Sequence, residues 1–173
     1  MSDDHERAAA LTRAVQLREQ GQAGQAREQL MELTEQYPED VEIAYQTAWA
    51  HDVLGLEREA VPFYERALGG AGLSPKDRHG AFLGLGSTHR VLGSYRAAVQ
   101  TLRCGLEEFP DDPALRTFLA MALYNDGEGR EAMRLLLKTL TATSSDRRVQ
   151  DYRRAIEHYA DDLDGVQQTH EEP

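Results

Sequence analysis

HDVLGLEREAV at residues 51–61 returns thirty-eight places later as HRVLGSYRAAV at residues 89–99, identical at seven of eleven positions. Agreement of this kind inside one chain is the signature of an internal repeat. Extending the comparison finds two further copies of its centre. GQAGQA at 21–26 and GEGREA at 127–132 stand beside GLEREA at 55–60 and GSYRAA at 93–98, each beginning with Gly and closing with Ala. Gly21, Gly55, Gly93 and Gly127 are 34, 38 and 34 residues apart, a period of 34 with four residues inserted between the second and third copies. A unit of that length holds one helical hairpin.

The letters have physical reasons. A tight turn between two helices often needs a left-handed backbone, which Gly adopts without steric cost. Ala26, Ala60, Ala98 and Ala132 leave room for the second helix to lie close against the first. Apolar residues four and eight places further on, such as Tyr64 and Leu68 or Leu102 and Leu106, share a helical face. A single hairpin cannot cover that stripe, so neighbouring hairpins must stack on it and the array needs a capping element.

The third copy carries the fullest pattern: Phe82, Leu85 and Gly86 before the turn, then Gly93, Ala98, Leu102, Gly105 and Pro110. In this pattern the chain resembles the tetratricopeptide repeat family. The other copies keep Ala14, Gly21, Ala26, Leu30 and Pro38; Ala48, Gly55, Ala60, Tyr64 and Ala67; and Leu119, Ala120, Gly127, Ala132 and Leu136. The resemblance spans roughly residues 7–145 and implies an all-α, right-handed superhelix of four hairpins, at about 7–38, 40–69, 74–110 and 112–142.

Helix-start signals agree with that division. Asp40, Ser74 with Pro75 and Asp77, and Asp112 with Pro113 are N-cap patterns. The inserted GGAGL at 69–73 predicts a longer first helix in the third hairpin and a looser joint before it. Val149, Tyr152, Ile156, Tyr159 and Leu163 form an apolar stripe on a charged segment, predicting one capping helix over about 146–163. Residues 165–173 have little to bury and are expected to form a mobile acidic tail. Two features strain the pattern. Pro62 inside a helix predicts a kink or a late start, and Gly80, Gly84 and Gly86 on one helix call for close packing in compensation.

A chain of 173 residues suffices for one domain that buries roughly two thirds of its unfolded surface. Thirty acidic against nineteen basic side chains give a net charge of −11, so nucleic acid and anionic membranes are not expected partners. The opening MSDDHERAAALTRAVQ lacks the basic start and apolar run of a secretory signal, and no apolar stretch is long enough to span a membrane. A cytoplasmic location is the expectation, and the single Cys104 is consistent with it.

Chemistry-bearing motifs are few. His51 and His89 hold equivalent places in successive repeats, a whole hairpin apart, and read as core fillers. GLGSTH at 84–89 lacks the third glycine and the preceding strand of a dinucleotide fingerprint. NDGEG at 125–129 lacks calcium-loop spacing and reads as a hairpin turn. No cofactor, metal or catalytic residue is expected.

By the family resemblance, the inner wall is lined thirteen, ten, six, three and two residues before each turn glycine. These positions give Ala8, Leu11, Val15, Arg18 and Glu19; Glu42, Tyr45, Trp49, Asp52 and Val53; Gly80, Leu83, Ser87, Arg90 and Val91; and Ala114, Thr117, Met121, Tyr124 and Asn125. The expected partner-binding groove comprises Leu11, Val15, Tyr45, Trp49, Asp52, Val53, Leu83, Arg90, Met121, Tyr124 and Asn125, with Arg90 and Asn125 as polar anchors. The function this implies is a non-catalytic protein or peptide binding module. Alternatives are a homodimer scaffold, or a small-ligand sensor or enzyme using the groove as a pocket near His51 and His89.

Overall fold

The computed structural model describes residues 2–165, and the tail expected at 165–173 falls, beyond Gly165, outside the described residues. Eight helices pair in chain order: α1 (Ser2–Glu19) with α2 (Ala23–Gln36), α3 (Val41–Val53) with α4 (Glu57–Gly69), α5 (Pro75–Val91) with α6 (Tyr95–Glu108), and α7 (Pro113–Asn125) with α8 (Gly129–Thr143). Two short helices follow, α9 (Arg147–Asp151) and α10 (Arg153–Asp161). The described residues contain no strand, and the hairpins stack into an all-α superhelix.

Each hairpin closes in the same way. Gly21, Gly55, Gly93 and Gly127 sit at φ +80, +71, +76 and +92°. The next amide then reaches back to the first helix: Gln22 N–H donates to the Leu17 carbonyl at 2.8 Å, and Ser94 N–H to that of His89 at 2.8 Å. This is the glycine-terminated closure that satisfies carbonyls left over at a helix end. The alanines five residues beyond each turn are buried, as close approach of the paired helices demands.

The starts follow the N-cap signals. Asp40 Oδ1 accepts from the amides of Glu42 and Ile43, both at 3.0 Å, and Asp112 Oδ1 from that of Leu115 at 2.7 Å. Ser74 Oγ accepts from the Asp77 amide at 3.1 Å and donates to the Asp77 carboxylate at 2.7 Å. Helix α5 has 17 residues against 13 in α3 and α7, so the inserted residues lengthen a helix. The extra turn also ties the joint. Arg78 donates to the Leu68 carbonyl at 3.1 Å and, through two nitrogens, to Glu108 at 2.6 and 2.7 Å.

Three expectations need correction or sharpening. Helix α4 begins at Glu57, so Pro62 neither delays nor breaks it. Pro62 and Arg58 are both exposed, and water can satisfy the Arg58 carbonyl that the missing amide leaves free. The glycines of α5 are packing positions: a methyl group at Gly80 would overlap the Tyr45 hydroxyl, one at Gly84 the Tyr64 ring, and one at Gly86 the Leu102 side chain. The single capping helix is two helices broken at Tyr152, and two members of its stripe, Tyr152 and Tyr159, are 68 and 64% exposed.

The other three members, Val149, Ile156 and Leu163, are half-buried, and charged groups flank the contact. Asp161 pairs with Arg134 at 3.5 Å and Lys138 at 2.5 Å, Asp164 pairs with Arg130, and Thr141 Oγ1 donates to Glu157 at 3.3 Å. Ala160 is the buried residue of α10.

Candidate functional site

The first-helix residues divide into an N-terminal group used mostly internally, Val53 and part of Trp49 apart, and a C-terminal group that stays open. Leu11 and Tyr45 correct the expected wall, for both are buried. Leu11 joins Ala14, Leu30, Leu33 and Ile43 in the seam between the first two hairpins. Tyr45 sinks into a cluster with Ala48, Tyr64, Ala67 and Leu85, over the space that Gly80 leaves empty. Burial pushes its hydroxyl pKa up to about 12. Val15 and Leu83 are half-buried and pack against core clusters.

Trp49 is half-covered by its own chain. The Arg18 guanidinium lies 3.5 Å from the centre of its ring, in cation–π contact, and donates to Gln46 Oε1 at 3.1 Å. Burial pushes the Arg18 pKa below its ordinary value. Asp52, expected on the wall, is a tie between three helices. Tyr64 Oη donates to its Oδ2 at 2.7 Å and Thr88 Oγ1 to its Oδ1 at 2.9 Å. Burial raises the Asp52 pKa, and the two hydroxyls offset only part of that rise. Beside these residues Val53 remains exposed.

The C-terminal group encloses a hollow of about 310 Å³. It gathers Arg90 from α5, Met121, Tyr124 and Asn125 from α7, and Met133 and Leu136 from α8. Tyr124 is 71% exposed and Val91 is also exposed. Arg90 Nη1 donates to Asn125 Oδ1 at 3.4 Å, while its Nε is buried without a partner. Four expected wall residues, Arg90, Met121, Tyr124 and Asn125, are thus brought together. Met133 and Leu136 escape a reading confined to first helices; their equivalents Val99 and Leu102 occupy a stacking joint, and among the described residues no further hairpin covers the last one.

At the other end of the stack a wider cleft of about 750 Å³ opens between α1 and α2, lined mainly by polar and charged groups including His5, Glu6, Arg13, Gln29, Glu32 and Gln36.

The histidines form no reactive couple. His51 is buried and stacked on Phe63 at 5.3 Å. Its Nδ1–H donates to the Thr47 carbonyl at 2.7 Å, which leaves Nε2 to accept from Arg27 Nε at 3.1 Å. Both ring nitrogens are used. His89 is half-buried, and burial holds its pKa below the ordinary value. Among the described residues no cluster of His, Cys, Asp or Glu could hold a metal, and no helix is long and apolar enough to cross a membrane.

Comparison with solved structures finds the same architecture. MamA residues 41 to the end, from Desulfovibrio magneticus RS-1, superposes with a TM-score of 0.64 at 17% identity, covering 92% of this chain and 97% of that one. Cut9 in the APC/C hetero-tetramer Cut9-Hcn1 superposes with a TM-score of 0.71 at 18% identity, covering 87% of this chain and 29% of that one. YrrB, described as a TPR protein with an unusual peptide-binding site, gives a TM-score of 0.61 at 18% identity over 86% of this chain and 85% of its own. At such identities the likeness concerns the fold. No curated protein sequence matches the chain significantly. The tetratrico peptide repeat family model matches residues 41–163. The repeating glycines, the helical hairpins and that match together establish that the chain belongs to the tetratricopeptide repeat family.

Proposed function

We propose that the chain is a non-catalytic module that binds a segment of another protein or peptide along the face lined by its first helices. The observation that carries this reading is the open hollow beside Met121 and Tyr124, with Arg90 and Asn125 at its edge. Apolar aromatic and Met surface around a few oriented polar groups is the composition of a binding hot spot. Val53, Val91 and Trp49 extend the exposed apolar surface onto earlier hairpins. The peptide-binding site named for YrrB, on a similar fold, supports the same class of function.

Affinity capture from the native cell extract tests the proposal, run in parallel with wild type and Tyr124→Ala. Tyr124 is largely exposed, so the variant should keep its helical circular dichroism and lose its partner. Equal capture by the two proteins would refute the reading. The sole tryptophan, Trp49, gives a second readout: a purified partner that reaches the N-terminal part of the face should shift its fluorescence.

A further inference from the structure

Three positions decide how one hairpin receives the next: six, nine and thirteen residues after the turn glycine, on the second helix. In the first three hairpins these are Arg27, Leu30 and Thr34; Val61, Tyr64 and Leu68; and Val99, Leu102 and Leu106, none of them exposed. In the last hairpin they are Met133, Leu136 and Leu140, at 49, 38 and 45% exposure. Among the described residues nothing buries them fully. Helix α10 is held by Arg134 and Lys138, which lie on another side of α8.

The molecule also shows what such a face accepts. The helices that cover the first three faces present residues twelve, eight and five before their own turn glycines. These are Ile43, Thr47 and Ala50; Ala81, Leu85 and Thr88; and Leu115, Leu119 and Ala122, all nine buried. Small and apolar side chains at i, i+4 and i+7 make one narrow stripe on a helix. Helix α1 has Ala9, Arg13 and Gln16 at these positions, all exposed, so a second copy stacking head to tail would bring a charge and an amide against the apolar face.

We propose, building on the binding-module reading, that the open α7–α8 face receives one amphipathic helix of a partner protein. That helix takes the place of a fifth hairpin's first helix and carries the pattern Leu-x3-Leu-x2-Ala or a close variant. Met133, Leu136 and Leu140 flank its stripe, and Arg90 and Asn125 stand at the edge of the hollow.

The probe is a synthetic, fluorescently labelled peptide of residues 112–126, DPALRTFLAMALYND, titrated into the full chain. Anisotropy should report saturable binding, weakened about tenfold or more by Met133→Glu and again by Leu140→Glu. Both variants should melt as wild type does, since both positions are exposed. A peptide with Leu119→Glu, and a peptide of residues 6–20 taken from α1, should not bind. Absence of binding by the 112–126 peptide, or equal binding to wild type and both variants, overturns the proposal. So does a concentration-dependent dimer in sedimentation that Leu136→Glu dissociates, because the face would then belong to a second copy. Should the peptide fail while capture still depends on Tyr124, this inference falls and the binding-module reading stands. Equal capture by wild type and Tyr124→Ala removes the broader reading itself.

Discussion

The two ends of the stack are built from the same repeat and finished in opposite ways. At the N-terminal end the outward positions of α1 are Ala9, Arg13 and Gln16, and the cleft beside them mixes charged, polar and apolar side chains. At the C-terminal end Met133, Leu136 and Leu140 are exposed beside an apolar hollow. A solenoid needs a polar outer face at each terminus to remain soluble. Here one end meets that need by composition. The other leaves its stacking face partly exposed while charged groups flank α10 alongside, so the two ends differ in which of them still offers an apolar stacking surface.

The strongest way to break the comparison is to make the ends match. Arg13→Leu with Gln16→Ala gives α1 the stripe of an internal first helix, and the product should join head to tail into open chains. Sedimentation should show average mass climbing with concentration, whereas a persistent monomer would mean that the exposed α8 face is not a stacking face. A matched pair of truncations comes next. Leu102 and Leu136 hold equivalent positions, one fully buried and the other 38% exposed. Leu102→Ala should cost about 2–5 kcal/mol of unfolding free energy in urea, and Leu136→Ala about 1 kcal/mol or less. Similar losses at both sites would show that the C-terminal face is covered in solution.

A smaller effect concerns acid. Burial by itself would raise the Asp40 carboxyl, but Arg7 and the amides of Ile43 and Glu42 outweigh it and hold the pKa below the ordinary carboxylate value. A depressed folded pKa means that the stabilisation is complete above the unfolded value, roughly 3.9, and is lost as pH falls through the folded one. Asp40→Asn should therefore cost about 1 kcal/mol or less near neutrality and flatten the fall of melting temperature below about pH 4. Asp52 has the opposite sign. Its raised pKa means the folded state holds the proton more tightly, so this group alone makes stability increase as pH drops through its folded value. Asp52→Asn should remove that opposing contribution and steepen the net acid loss in the same melting series.

Much of this architecture was readable in the letters because each signal had a local cause. Left-handed turns select glycine, close helix pairs select alanine, and N-terminal amides select Asp or Ser. The candidate site was readable only in part. Tyr45 has the same spacing as an exposed groove residue, and its burial depends on Gly80, thirty-five residues away, making room for the ring. Asp52 looks like a surface carboxylate until Tyr64 and Thr88 from two other helices converge on it. The capping stripe was right for Val149, Ile156 and Leu163 and wrong for Tyr152 and Tyr159, because periodicity identifies a face but not the surface that will meet it. Ion pairs from Asp161 to α8 lie along that contact.

The lengthened helix α5 carries a lesson about how such chains vary in size. Four added residues are close to one full turn of α-helix, so they advance the direction of the chain by only about 40° beyond a complete revolution. Two residues would have swung the entry strand of that helix, with Ser74 and the connector behind it, to the far side of the rod. Growth by whole turns therefore leaves the phase of the array intact, and Arg78 on the added turn serves as a brace that a shorter sibling lacks.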